Sequence, residues 1–96
     1  MKKYVLLHYG FEKPTPEIMS AWTKWFESTK HFTVDMGGFG KGREITRSGT
    51  SDLPLGPDAI TGFTIINADS LEAAEEMAQG NPFISGIRVY EVRSGG

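Results

Sequence analysis

The sequence predicts an α+β domain of ferredoxin-like plan, β-α-β-β-α-β, on three observations. Segments 15–31 and 69–80 repeat apolar residues every three or four positions, the period of an amphipathic helix. Short runs rich in β-branched and aromatic residues stand before, between and after them, the signature of strands. Ninety-six residues, 39% apolar and 23% charged, suit one small globular domain. Such a chain places both helices on one face of a four-stranded antiparallel sheet. The domain is expected over 1–93, with 94–96 as a tail.

The first strand is KYVLLHY (3–9), apolar on both parities and closed by Gly10. The first helix follows over 15–31. Thr15 is its expected N-cap, Pro16 suits the first helical position, and Glu17 complements the positive end of the helix. Ile18, Trp22, Trp25 and Thr29 form its apolar stripe, with Met19 and Phe26 alongside.

The stretch DMGGFGKGRE (35–44) carries four glycines and reads as a bend entering a second strand, REITRSG (43–49). It is not a phosphate-binding P-loop, because Lys41 precedes Gly42 rather than Ser or Thr, and Asp35 stands where the first glycine belongs. Nor is it a dinucleotide fingerprint, since Gly38, Gly40 and Gly42 have the wrong spacing and no helix follows. TSDLPLGPD (50–58), with two prolines and a glycine, reads as loop. AITGFTIINA (59–68) is the strongest strand signal. The second helix begins at Asp69 as N-cap, with Glu72 three positions on, and ends at Gly80 before Pro82. Its stripe is Leu71, Ala74 and Ala78 with Met77. GIRVYEV (86–92) is the last strand.

Charge and composition exclude several functions. A net charge of −2 with both signs interspersed lacks the clustered basic face of a nucleic-acid binder. Without cysteine there is no disulfide, thiolate nucleophile or zinc–sulfur site. No stretch approaches the roughly 20 apolar residues of a membrane helix. A cytoplasmic protein with no membrane or nucleic-acid partner is expected.

The sheet itself carries a prediction. Tyr4, Leu6 and His8 point one way in the first strand and Val5, Leu7 and Tyr9 the other; in the strand at 59–68, Phe63 and Ile65 oppose Ile66 and Thr64. Both faces are therefore apolar, yet two helices shield only one. A second copy is expected to cover the other, giving a face-to-face homodimer whose two sheets enclose a barrel-like core.

The segments MKKYVLLHYG, TPEIMSAWTKWFE, VDMGGFG and ITGFTIINADSLEAAEEMAQGNPFISGIRVYEVR resemble the YCII-related family, including its DGPF-like branch, over nearly the whole chain. The resemblance implies a dimeric α+β barrel of ferredoxin-like protomers with a cleft between sheet and loops. Some members of that family carry a histidine in the first helix and an aspartate before the proline after the second, a candidate acid–base pair. Here Ile18, Met19 and Trp22 occupy the first region and Asn81 the second, so that pair is not carried over. LGPD at 55–58 departs from the DGPF motif itself.

The remaining candidates come from chemistry. His8, the imidazole nearest a strand end, is the candidate general base, against the reading of a hydrogen-bonded structural histidine. Trp22 is a candidate wall of an aromatic pocket or a core residue. Arg43, with Lys41 and backbone N–H groups, suits a ligand carboxylate or phosphate. Asp35 is placed at the mouth of the cleft or on a surface loop. Asn81 either supports the turn after the second helix or binds ligand polar groups. No His/Asp/Glu spacing indicates a metal, and no cofactor is expected. Two functions fit: a small organic ligand bound in the cleft, with or without cofactor-free catalysis, or a non-catalytic interaction module built on the sheet dimer.

Overall fold

The computed structural model describes residues 1–93, and the expected tail at 94–96 lies outside the described residues. The elements are β1 (Lys2–Tyr9), α1 (Pro16–Thr29), β2 (Thr33–Gly38), β3 (Gly42–Thr46), β4 (Gly49–Leu53), β5 (Ile60–Ala68), α2 (Leu71–Gln79) and β6 (Gly86–Val92). β2, β5, β1 and β6, in that order, make a four-stranded antiparallel sheet. The α+β architecture is the expected one.

Alternation along the central strands decides which side is core. Tyr4, Leu6, Thr64 and Ile66 are almost wholly buried, and Trp25 of α1 with Ala74 and Ala78 of α2 packs on them. The intervening Val5, Leu7, Phe63 and Ile65 face the other side and are only half-buried. Thr15 caps α1 as expected, its Oγ1 accepting from the Ile18 N–H at 3.2 Å. At α2 the cap is Ser70, not Asp69: the Ser70 hydroxyl accepts from Ala73 N–H at 3.1 Å. Both side chains suit a cap, and Ser70 is the residue that sits in the extended conformation three positions before that N–H.

The middle of the chain differs from the sequence-based expectation. The second strand of the main sheet is Thr33–Gly38, which runs into the supposed glycine bend, not 43–49. Glycine weakens a strand on average, but here it is required by close approach. A Cβ on Gly37 would stand 2.8 Å from the Phe63 ring, and one on Gly62 would stand 2.9 Å from the Gly37 carbonyl oxygen. Residues 43–49 instead start a separate hairpin. β3 pairs with β4, which lies in the segment expected as loop, and Gly49, at φ 137°, follows the turn. All ten strand positions of this hairpin are exposed, Ile45 to 80%.

Candidate functional site

On the helix-covered face, side chains from neighbouring strands line up in cross-strand rows. One row reads Met36, Thr64, Leu6, Val89; the next reads Gly38, Gly62, His8, Ile87. In the second row the two positions on the β5 and β2 side of His8 have no side chain. The missing volume, between the sheet and α1, is a cavity of about 420 Å³ lined by Trp22, Phe26, Met36, Thr64 and His8 over the glycines. Cavities of this size hold small organic molecules.

His8 is 7% exposed. Its Nε2 lies 2.9 Å from the Thr64 hydroxyl. The rings of Trp22 and Trp25 stand edge-on to it, 5.2 Å and 6.2 Å away between centroids. Trp25 is itself fixed, its Nε1–H donating to the Met77 carbonyl at 2.9 Å. His8 Nδ1 is closed off from solvent and has no partner among the described residues. No charged residue lines the cavity. Burial disfavours the imidazolium and lowers the His8 pKa from 6.5 to about 4, so the ring is neutral at pH 7.

A larger cleft of about 810 Å³ lies on the opposite face, over Leu7, between the base of the hairpin and residues 54–60. Lys41, Arg43, Glu44 and Asp58 line it with Phe39, Leu53 and Leu55. The chain's own loops therefore roof one end of the helix-free face. The rest, including Tyr90 and Val92, is exposed. A shallow groove of about 610 Å³ lies between α1 and α2.

The five candidate residues do not converge. His8 and Trp22 share the cavity beneath α1 rather than a cleft on the open face. Asp35 pairs in register with Ile65, which puts it on the opposite face, exposed, with its Oδ1 accepting from Met36 N–H at 2.8 Å. Arg43 lines the larger cleft and forms an exposed ion pair with Asp52 at 3.2 Å. Asn81 is buried just beyond α2, 4% exposed, and both polar atoms of its amide lack partners among the described residues. The turn there is held by backbone bonds, Asn81 N–H to Ala78 O and Phe83 N–H to Asn81 O, not by the amide expected to support it. Strand parity explains the dispersal: His8 falls on the helix side, and Asp35 on the other. Sequence reasoning missed Thr64, Gly38 and Gly62. A glycine inside the β-branched run ITGFTI was the available signal for Gly62; Gly38 needed the register.

No protein-family model matches the sequence, and no curated protein matches it. Among solved structures, the fold is similar to that of 5-chloro-2-hydroxyhydroquinone dehydrochlorinase (TftG) from Burkholderia phenoliruptrix AC1100 in complex with 2,5-dihydroxybenzoquinone. The TM-score is 0.61 at 14% identity, over 97% of this chain and 95% of that one. At that identity the likeness is one of fold.

Proposed function

We propose that this chain binds a small organic molecule in the cavity beside His8, and that it is a cofactor-independent enzyme in which His8 and Thr64 handle the proton. The observation that carries this reading is a neutral imidazole, hydrogen-bonded to a threonine, in the wall of an aromatic cavity that two glycines leave empty. A solid core has no reason to leave that volume unfilled, since voids cost contacts. A neutral imidazole beside a bound ligand can take up a proton from it, and burial that lowers its pKa to about 4 makes it a weak base. The neighbour's dehydrochlorinase activity and the resemblance to the YCII-related family support a small-molecule role on this fold. They do not supply the residues, because that family's paired histidine and aspartate are absent here.

We infer too that a second copy covers the helix-free face. The chain exposes 7105 Å², against roughly 5500 Å² for a compact monomer of 10.6 kDa. The excess is on the scale of what a partner removes in a stable homodimer. Light scattering at micromolar concentration is expected to give twice the chain mass; a single species at the chain mass overturns the dimer.

Thermal-shift screening of small ring compounds tests the function. Binders are expected to raise the melting temperature of the wild type and not of Gly38→Leu. A Cβ at Gly38 meets only the Thr61 carbonyl, at 3.9 Å, so the longer side chain enters the cavity without straining the strand. A screen in which no compound distinguishes the two proteins contradicts this reading and favours the non-catalytic interaction module.

A further inference from the structure

We propose that the ligand of the His8 cavity is an uncharged ring compound bearing a carbonyl, and that the Thr64 hydroxyl, backed by His8, donates to that carbonyl oxygen. The inference rests on the cavity being a ligand site, as proposed above, and specifies what the site takes.

It starts from the proton on His8. A neutral imidazole carries one N–H, on either Nδ1 or Nε2. Nδ1 is buried and without a partner among the described residues. A proton there would be a buried, unsatisfied donor, whereas a bare nitrogen leaves only an unused lone pair. The proton therefore sits on Nε2 and is donated to Thr64 Oγ1, 2.9 Å away. Thr64 then has its own hydroxyl proton left to give. No other hydrogen bond engages that hydroxyl among the described residues, and Thr64 lines the cavity. The wall thus offers a donor, polarised by a second donor behind it.

Charge narrows the ligand further. The cavity has no lysine, arginine, aspartate or glutamate in its lining. A carboxylate or ammonium entering it would lose its water shell and meet no counter-charge. The cleft over Leu7, with Lys41, Arg43, Glu44 and Asp58, is where charged groups would be tolerated instead. Shape completes the match. Trp22 and Phe26 supply aromatic surface, and the glycines let a flat ring approach the backbone. A dry cavity of about 150 Å³ already holds benzene, so about 420 Å³ takes one or two fused rings. A neutral imidazole, rather than an imidazolium, behind the donor suits polarisation of a carbonyl without burying a charge.

Coumarin and coumarin-3-carboxylate form a matched pair of probes, read by quenching of tryptophan fluorescence and by the carbonyl stretching frequency. Coumarin is expected to bind the wild type with its carbonyl stretch lowered, and the carboxylate to bind at least about tenfold more weakly. Thr64→Val is expected to weaken coumarin binding about tenfold and return the stretch to its solution value, while Thr64→Ser restores both. Nitrogen NMR of His8 is expected to show the proton on Nε2, a readout that needs neither ligand nor variant. The proposal is overturned if the carboxylate binds as tightly as coumarin while Gly38→Leu abolishes both, if Thr64→Val leaves the stretch unchanged, or if the proton is on Nδ1. If Gly38→Leu affects neither probe's binding, the cavity is not the site, and the underlying reading fails with this one.

Discussion

Leu6 and His8 sit two residues apart on β1, point to the same side of the sheet and lie under the same helices, yet their surroundings differ. Around Leu6 every place is filled: Thr64 and Val89 flank it in its row, and Tyr4 and Ile66 share its core. Around His8 the row holds two glycines, and a cavity takes the place of side chains. The contrast shows that one layer of this small domain serves two ends. Packing near Leu6 holds the helices to the sheet, and the missing side chains near His8 make room at a neutral imidazole.

The largest effect is expected at the filled end. Leu6→Ala removes a wholly buried side chain and is expected to cost about 3 kcal/mol, seen as a melting temperature lower by roughly 10–20 °C. A loss under about 1 kcal/mol would mean that the Leu6 row is no better packed than its neighbour.

Acid distinguishes the rows next. The folded-state pKa of His8 is depressed, so below 6.5 the unfolded chain takes up a proton that the folded chain refuses. Stability is expected to fall as pH drops from 6.5 towards 4 and to be independent of His8 below that. The loss is about 2 kcal/mol, less than the full shift implies because the cavity opens towards solvent. Denaturant midpoints of wild type and His8→Gln, compared across this range, isolate the effect: the gap between them should change with pH only in that window. The ring's neighbours Trp22, Trp25 and Thr64 carry no charge that would oppose it.

The smallest effects separate the two glycines. Gly62→Ala places a Cβ 2.9 Å from the Gly37 carbonyl oxygen and is expected to destabilise by about 1–2 kcal/mol. Gly38→Ala meets only the Thr61 carbonyl at 3.9 Å and is expected to change stability by under about 0.5 kcal/mol. Equal effects would show that the cavity floor is not shaped as described.

Where the sequence was legible, periodicity and burial agreed. The β-branched and aromatic run of ITGFTIINA and the helical stripe of Ala74 and Ala78 led directly to β5 and α2. The stretch 33–53 was legible only in part: 43–49 reads as a strand and β3 lies there, but not as a strand of the main sheet. Thr33–Gly38 is a strand in spite of its glycines, because Phe63 and Gly62 press against it from β5, a tertiary contact invisible to local propensity. The hairpin of β3 and β4, exposed on both faces, offers no apolar alternation to read. At the site, His8 and Trp22 were identifiable from residue chemistry. That Thr64 joins them, and that Asp35, Arg43 and Asn81 stand elsewhere, follows from register and parity, which the order of strands alone does not give.

The claim on which the account rests is that the space beside His8 is a real, apolar, accessible cavity. Crystals pressurised with xenon test it most directly, because xenon settles in apolar hollows without needing a hydrogen bond. The expected result is a xenon atom between Trp22 and the Gly38–Gly62 floor in the wild type and none there in Gly38→Leu. A wild-type crystal without that atom, with the Trp22 ring or another side chain filling the space against His8, would contradict it.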